Sequence, residues 1–431
     1  MMKMNRIINA NTQCGRIANP TERGEWKEVK LGDICTELSD GLHKAPLFVE
    51  GGDYIFVNAK NLCDGVIVDN DPTKKTTHEE YLKYSKPLNE NTILFSIDGT
   101  IGNIARYKGE KCVLGKGACY INPNPVLVDS SYIYFQLQSP HFNSYLNCMS
   151  TGSTIKHISL KTMRNYEFTL PPLPEQRSIA SILSALDDKI AVNRRICENL
   201  EAQAQALFKH WFIDFAPFKD GKFVESELGM IPEGWRVGTF SEIFDLGPGG
   251  TPKTSEKAFW KDGTIPFFSP KDVNGVYCFE TEKHITEEGL NNCSSRLYDK
   301  NTVFITCRGT VGKVAMAATP MAMNQSNYAI LSNKGYSQYF AYLMTVSIIK
   351  KLKFKANGAV FDAITTKDFK EQIIIPNLNI VNRFDSIIQP IFDSILNAGF
   401  ENLRLSTLRD TLLPKLMSGE LKVNEIETKI I

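Results

Sequence analysis

Two short turns in the sequence have a composition suited to holding an anionic group. Gly99-Thr100-Ile101-Gly102 and Gly309-Thr310-Val311-Gly312 share the pattern Gly-Thr-x-Gly. Glycines leave backbone N–H groups uncovered, so these turns could direct donors at a phosphate. Glycine also permits positive φ, so the repeated pattern could instead mark the fold. The basic residues beside these turns are Arg106, Lys108, Arg308 and Lys313.

Motifs of enzyme catalysis are missing from the sequence. Asn122-Pro123-Asn124-Pro125 lacks the adjacent prolines of an amino-methyltransferase, and Gly247-Pro248-Gly249-Gly250 lacks the Gly-Lys-Ser/Thr ending of a phosphate loop. The six histidines and ten cysteines show no zinc spacing, and no Ser/His/Asp order with an elbow motif occurs. We therefore expect no catalytic residue, no metal site and no cofactor bound by this chain.

Composition describes a globular protein of several structural units. A chain of 431 residues is too long for one ordinary core, and its 42% hydrophobic content is typical of globular domains. No apolar stretch approaches the roughly 18 residues of a membrane span. Scattered cysteines predict free, mostly buried thiols in a reducing cytoplasm. The net charge of +1 decides little, and the lysine run 350–355 fits either nucleic-acid binding or a solvated helix face.

An internal repeat organises the chain. Trp26 recurs as Trp235 at an offset of 209, and Gly152 recurs as Gly358 at an offset of 206. The two Gly-Thr-x-Gly turns lie between these matches at an offset of 210. Because all matches keep their order and nearly their spacing, the chain is a tandem duplication of a unit of about 200 residues.

Each copy predicts short strands and helices followed by one long helix. Runs of β-branched and aromatic residues predict strands, and two longer segments, 131–146 and 337–353, predict helices. The predicted strands are 53–57, 92–96, 165–170, 265–268, 302–306 and 371–375. The expected fold class is therefore mixed α and β (α+β).

The long helices carry heptad patterns typical of a coiled coil. The seam of the first comprises Ile179, Leu183, Leu186, Ile190, Asn193, Cys197, Leu200, Ala204, Leu207 and Trp211. That of the second comprises Ile388, Ile391, Ile395, Ala398, Asn402 and Leu405, then shifts to Leu408 and Leu412. Asn193 and Asn402 are repeat equivalents that fix register or lie at a wet edge. Pro390 predicts a kink or a late helix start. We expect the helices to pair as an antiparallel coiled coil with pseudo-two-fold symmetry.

Several segments resemble the specificity subunits of type I restriction–modification systems. Residues 170–177 (Leu-Pro-Pro-Leu-Pro-Glu-Gln-Arg) look like the start of that family's central helix, and Ile231-Pro232-Glu233-Gly234-Trp235 looks like the opening of its second target-recognition domain. Gly249-Gly250-Thr251-Pro252 is similar to a common start of that domain, and residues 412–421 resemble the usual tail of the last helix. The region around Asp40-Gly41-Leu42 lacks the Gly-Gly-Thr-Pro form.

The resemblance implies five segments. They are an N-terminal tail (1–23), a first recognition domain (24–172), a central long helix (173–217), a second recognition domain (218–377), and a C-terminal long helix with its tail (378–431). Each recognition domain would bind half of a bipartite DNA target, and the paired helices would set the spacing between the halves.

The resemblance also implies partners. Two methyltransferase subunits would bind S-adenosylmethionine and methylate adenine in double-stranded DNA, and motor/endonuclease subunits would join through them, using ATP and Mg²⁺. The chain itself would be cytoplasmic, with no membrane contact and no catalytic role. The alternative is a coiled-coil scaffold with two interaction modules and no nucleic acid. A second alternative is a fused specificity segment of a stand-alone restriction–methylation enzyme.

Polar residues at repeat-equivalent loop positions are the candidates for DNA contact, because base edges and phosphates need side-chain donors and acceptors. The candidates are Lys60, Asn61, Thr100, Arg106, Lys108, Ser153, Thr154, Lys156, Lys271, Asp272, Arg308, Thr310 and Lys313. Since the half-sites should differ, base readers could instead lie where the copies diverge, as at His43, His78, Lys257 or Asn274.

Overall fold

The computed structural model describes residues 26–69, 73–149, 157–332, 334–355 and 363–424. The chain divides into two compact units. The first unit combines residues 1–187 with 406–431, and the second comprises residues 188–405. Both unit boundaries fall inside a long helix, so each unit contains part of both long helices.

The first unit is built on two small sheets. Its strands are β1 (Lys27–Lys30), β2 (Cys35–Asp40), β3 (Tyr54–Val57), β4 (Leu62–Cys63), β5 (Val66–Ile67), β6 (Lys75–Thr76), β7 (Ile93–Ser96), β8 (Ile104–Arg106), β9 (Cys112–Leu114), β10 (Ala118–Pro123) and β11 (Glu167–Leu170). One sheet has the order β2-β10-β7-β8 and the other β6-β3-β9, while β1 pairs with β11 and β4 with β5.

Short helices cover the first unit. They are α1 (His78–Tyr84), α2 (Ser130–Gln136), α3 (Pro140–Met149) and α4 (Leu160–Arg164). The prediction of a single helix over 131–146 is wrong, because the helix is interrupted between α2 and α3. Helix α2 ends at Gln136 and α3 begins at Pro140; proline disfavours helical backbone in the residue before it and suits a first helical turn.

The central helix α5 (Leu173–Phe212) follows the first unit's last strand and continues into the second unit. The second unit's strands are β12 (Phe223–Ser226), β13 (Gly229–Pro232), β14 (Arg236–Thr239), β15 (Phe244–Pro248), β16 (Ile265–Phe268), β17 (Tyr277–Cys278), β18 (Lys283–Ile285), β19 (Val303–Thr306), β20 (Val314–Ala317), β21 (Ala322–Met323), β22 (Asn327–Ser332) and β23 (Gln372–Ile375). Its helices are α6 (Glu287–Asn291) and α7 (Gln338–Lys355), followed by the C-terminal helix α8 (Leu378–Met417).

The sheets of the second unit repeat those of the first. The order β15-β22-β19-β20-β17 matches β2-β10-β7-β8 with one extra edge strand. The order β18-β16-β21 matches β6-β3-β9, and in each the middle strand has one antiparallel and one parallel neighbour. The pair β14–β23 matches β1–β11. The predicted duplication and the mixed α and β class are therefore confirmed.

The long helices pack antiparallel within each unit. In the first unit, Asp187 of α5 accepts a hydrogen bond from Arg409 of α8 at 2.8 Å. In the second unit, Asn193 contacts Asn402, and the rings of Trp211 and Phe384 lie 5.6 Å apart. Later positions of α5 thus meet earlier positions of α8. The pseudo-two-fold relation between the two domains stays a prediction.

Pro390 does not delay the start of the C-terminal helix. Helix α8 begins at Leu378 and runs through Pro390 without a break, so the late start is wrong. Pro390 is exposed, and the hydrogen bond that its ring removes would face water. The buried side chains of Ile388 and Phe392 hold the helix to the core on either side.

Candidate nucleic-acid interface

The two Gly-Thr-x-Gly turns are exposed hairpin loops with the same internal bonding. The first joins β7 to β8, and its Thr100 carbonyl accepts a hydrogen bond from Ser96 Oγ at 2.6 Å. The second joins β19 to β20, and there Thr306 Oγ1 donates to the Thr310 carbonyl. Thr100 and Thr310 are both exposed. Each turn therefore presents its threonine to solvent at the end of a buried strand.

The glycines of these turns serve the fold. Gly99, Gly102, Gly309 and Gly312 have φ values of 71°, 102°, 77° and 75°, a region that favours glycine. The structural explanation of the repeated pattern therefore holds. Contact with phosphate stays a prediction that this geometry permits, because the loops face solvent.

Basic side chains surround the turn of the second unit. Arg308 and Lys313 flank it and are exposed. Lys353 of α7 packs against it, since a Cβ added at Gly312 would lie 3.1 Å from Lys353 Cε and 3.6 Å from its Nζ. The sequence marks Lys353 only as part of the lysine run 350–355, because its contact with the turn depends on tertiary packing. Three cationic side chains thus gather at one loop.

Asn61 and Asp272 have structural roles. Asn61 is 1% exposed, and its Oδ1 accepts from the Asn58 backbone N–H at 3.0 Å while its Nδ2 donates to the Val68 carbonyl at 3.1 Å. Asp272 Oδ2 accepts from the backbone N–H of Ser269 at 2.7 Å. Both residues close capping boxes of short 3-10 turns, so neither location fits a residue that reaches base edges.

Arg106 likewise packs against its own unit. Its guanidinium lies 4.1 Å from the Tyr134 ring centroid, and its Nη2 donates to Ser184 Oγ of the central helix at 3.4 Å. Because these contacts hold the guanidinium of Arg106 against its own unit, the position does not suit a side chain that contacts DNA. By contrast, Lys60 and Lys108 are exposed, as is Lys271, whose Nζ lies 3.7 Å from Glu282.

The remaining candidates fall into two groups. Ser153, Thr154 and Lys156 lie outside the described residues. Where the copies diverge, Lys257 and Asn274 are exposed, whereas His78 is engaged by the Tyr54 hydroxyl at 2.6 Å and His43 by Asp40 at 3.0 Å. Lys257 and Asn274 are therefore more available for contact with DNA than His43 and His78.

The seam of the paired helices is apolar with one polar pair. Asn193 is 2% exposed, and its Nδ2 donates to Asn402 Oδ1 at 3.0 Å and to Glu401 Oε2 at 2.6 Å. Lys189 Nζ lies 3.3 Å from the same carboxylate. The hydrogen bond from Asn193, together with Lys189, lowers the pKa of Glu401. The wet-edge interpretation is wrong for Asn193, because its amide is buried and bonded.

The other predicted seam positions are buried or half-buried, with one exception. Ile179, Leu183, Ile190, Leu200, Leu207, Ile388, Ile391, Ile395 and Leu412 pack in the hydrophobic cores, and Leu186 and Leu405 are half-buried. Leu408 is 47% exposed, so its assignment to the seam is wrong. The residue after it, Arg409, forms an ion pair with Asp187 of α5 instead. Farther along α8, Leu413 and Leu416 are buried in the core of the first unit.

The described residues show neither a metal-binding cluster nor a membrane-spanning helix. Among the described residues, no group of three or more His, Cys, Asp or Glu side chains is arranged to hold a metal ion. No helix in the described part of the chain combines the length and the apolarity needed to cross a membrane. The nine cysteines that the structure describes are free, and four of them are buried, so the prediction of mostly buried thiols was too strong.

Comparison with known proteins gives consistent matches. A family model described as the type I restriction modification DNA specificity domain matches twice, over residues 23–202 and 232–404. The MjaIX specificity subunit of Methanocaldococcus jannaschii is 30% identical over 416 residues, covering 93% of this chain and 95% of that protein. The HindI specificity subunit of Haemophilus influenzae is 27% identical, covering 92% of this chain and 100% of that protein.

One solved structure supports the fold. The S subunit of a type I restriction–modification system from M. genitalium aligns with a TM-score of 0.52 at 17% identity, covering 93% of this chain and 98% of that one. At this identity the likeness concerns the fold alone. It agrees with the two mixed domains and two long helices described above.

Proposed function

Because this chain belongs to the type I restriction modification DNA specificity family, we propose that each of its two domains binds one half of a bipartite DNA target. The observation that carries the proposal is the duplication, since the same sheets and the same exposed turn occur in both units. DNA has local two-fold symmetry, so a pair of equivalent binding surfaces suits a divided site. Differences between the copies would make the two half-sites unequal.

Exposed basic residues support phosphate contact in each domain. Lys60 and Lys108 in the first domain, and Arg308 and Lys313 in the second, extend from loops into solvent. Contacts of this kind position a protein on the duplex but carry no sequence information directly. Base readers would therefore lie among exposed residues that differ between the copies, such as Lys257 and Asn274.

The paired helices would set the distance between the half-sites. Each long helix has 40 residues, which at 1.5 Å per residue gives about 60 Å. Their seam is closed by apolar side chains and by the polar pair Asn193–Asn402, which favours one register. A fixed register fixes the length of DNA left unread between the two halves.

The catalytic work would belong to partner subunits. Two methyltransferase subunits would dock on this chain and supply S-adenosylmethionine chemistry at adenine. Motor/endonuclease subunits would join through them and supply ATP- and Mg²⁺-dependent steps. Two similar units in one chain offer two similar faces, which fits two copies of one methyltransferase.

The test is DNA binding by the chain co-expressed with its neighbouring methyltransferase. Selection from a random-sequence duplex library should yield a motif with two fixed halves and a spacer of constant length. Arg308→Ala with Lys313→Ala should weaken binding and lower the salt slope by about one for each lost phosphate contact. Lys300→Ala is the matched control, because this exposed lysine lies at the opposite end of β19. An undivided motif would contradict the bipartite target, and no DNA binding would favour the scaffold alternative.

A further inference from the structure

The end of α7 in the second unit carries an exposed aromatic ring. Phe354 is the last residue but one of this helix, and its side chain is 85% exposed. No other large apolar side chain that the structure describes is exposed to that extent. Burial would stabilise such a ring, but single exposed apolar residues are common on protein surfaces. The surroundings of Phe354 therefore decide whether it has a function.

Lysines surround Phe354 on the helix surface. Lys350 and Lys351 precede it by four and three residues, a spacing that makes side chains neighbours on a helix. Lys353 faces the adjoining Gly-Thr-x-Gly turn, where a Cβ added at Gly312 would lie 3.1 Å from its Cε. The ring of Phe354 thus lies among cations on its own helix.

The turn adds two cations from another part of the chain. Arg308 and Lys313 flank it and are exposed, and neither segment 308–313 nor segment 349–355 contains an acidic residue. Lysines in the last turn of a helix also interact favourably with the helix dipole. The dipole accounts for the lysines of α7, but it accounts neither for the two cations of the turn nor for the exposed ring of Phe354.

This combination selects the kind of partner. The α7 patch, defined as Arg308, Lys313, Lys351, Lys353 and Phe354, joins positive charge to an apolar ring. Duplex DNA carries a dense row of negative phosphates outside a stack of flat, apolar base faces. A partner of this kind satisfies both features of the patch, whereas an acidic protein surface would satisfy the charge and leave the ring in water.

Helix α7 is anchored close to the patch. Leu352 is 7% exposed and belongs to the core of the second unit. The Tyr342 hydroxyl donates to Glu201 of α5 at 3.0 Å, and Lys350 Nζ donates to Gln205 of α5 at 2.6 Å. These contacts hold the helix, so its last residues project from a fixed support.

We propose that Phe354 is a wedge that enters the DNA between two adjacent base pairs of the second half-site, while the cations of the α7 patch bind the flanking phosphates. Phenylalanine is one of the apolar side chains that DNA-bending proteins insert between base steps, which unstacks and kinks the duplex. Pyrimidine–purine steps deform most easily, so the wedge selects such a step without a hydrogen bond to a base. This inference rests on the proposed function, since it assigns one residue a role in reading DNA.

The first unit lacks this combination. Helices α3 and α7 both end three residues before the repeated glycine, Gly152 or Gly358. Helix α3 contains neither lysine nor arginine, and it ends at Met149, which is 49% exposed. We therefore expect a kink in the second half-site only, which would contribute to the difference between the two half-sites.

The test uses the full chain assembled with its methyltransferase on the selected duplex, in which 2-aminopurine replaces one base at a time. The fluorescence of 2-aminopurine rises when the base loses its stacked neighbours. One step of the second half-site should brighten with the wild type. Phe354→Ala should abolish this signal and weaken DNA binding about tenfold, as expected when an aromatic ring stacked on a base is removed. The salt slope should stay unchanged, because no phosphate contact is lost.

Two controls accompany this variant. Val126→Ala removes an apolar side chain that is 80% exposed in the first unit, and it should change neither affinity nor fluorescence. The methyltransferase would flip its target adenine out of the stack, so 2-aminopurine at that position should brighten equally with the wild type and with Phe354→Ala.

The outcomes separate the wedge from the proposed function. If the wild-type assembly binds no specific DNA, the proposed function fails and the wedge fails with it. If specific binding and the signal at the target adenine are present, but Phe354→Ala matches the wild type in affinity and in fluorescence at every other position, the wedge alone is refuted. Weaker binding of Phe354→Ala to the methyltransferase in the absence of DNA would assign the ring to a protein interface and would also overturn the wedge.

Discussion

The polar pair in the helix seam allows a quantitative test of how the long helices are held in register. Asn193 is buried, and its amide donates to Asn402 at 3.0 Å. A hydrogen bond of this kind contributes about 0.5–1.5 kcal/mol net, and a buried polar group that loses its partner costs more. We therefore expect Asn193→Ala and Asn402→Ala each to destabilise the chain. Their coupling free energy in a double-mutant cycle should be about 1 kcal/mol.

Replacing both members by leucine should have the opposite effect on stability. An apolar pair removes the buried amides, and a polar residue on a seam fixes register at a cost in stability. The Asn193→Leu/Asn402→Leu chain should therefore unfold at higher urea concentration than the wild type. It should also lose the preference for one register, which would appear as variable spacing in the selected DNA motif.

The carboxylate next to the pair adds a pH dependence. The hydrogen bond from Asn193 lowers the folded-state pKa of Glu401. A group with a depressed folded pKa stabilises the fold above its unfolded pKa, and this stabilisation is lost as pH falls through the folded pKa. The destabilisation caused by Asn193→Ala should therefore be smaller in acid than at neutral pH.

Urea unfolding of the full chain, followed by circular dichroism, measures these effects. Gln203→Ala is the control, because Gln203 is exposed on the same helix, and it should change stability by less than about 0.5 kcal/mol. Strictly additive effects, with a coupling below about 0.3 kcal/mol, would refute the inference that the pair holds the helices.

Three further predictions concern the turn, the thiols and the spacing of the helices. Gly99 has φ 71° with open space around it, so Gly99→Ala should lower the free energy of unfolding by about 1–2 kcal/mol, measured by thermal unfolding. Gly117→Ala is the control and should be neutral, because its Cβ would make only ordinary contacts. Equal effects of the two substitutions would contradict the turn's conformational role. When the thiols are alkylated and followed by mass spectrometry, the exposed Cys63 and Cys148 should react before Cys119. Cys119 should react slowly because it is buried and burial raises the pKa of its thiol. Early labelling of Cys119 would contradict the packing of the first unit's core. One heptad added to both long helices lengthens the pair by about 10 Å, which is close to the rise of three base pairs. The spacer of the recognised motif should therefore lengthen while both half-motifs stay the same. A change in either half-motif would show that the helices also affect base recognition.

Patterns that depend on neighbouring residues were predictable from the sequence. Strands such as β16 and β19 follow from β-branched and aromatic runs, and the helix seam follows from heptads. The break before Pro140 and the capping roles of Asn61 and Asp272 were also visible in principle. A proline inside a helical pattern and polar residues three positions apart are known local signals.

Tertiary contacts were not predictable in this way. Lys353 lies 41 residues after Gly312, and only the fold brings α7 against that turn. Arg106 looked available for DNA until the structure showed it over Tyr134. A pocket of the first unit lies where the end of α8 meets β1 and β11, and no sequence period marks such a meeting.

The proposed function requires that this chain direct methylation to a split DNA site. The decisive experiment is methylation-sensitive sequencing of the host genome, with and without the gene for this chain. We expect adenine methylation at a motif of two fixed halves and a constant spacer, which disappears on deletion and returns on complementation. A methylation pattern unchanged by deletion would contradict it.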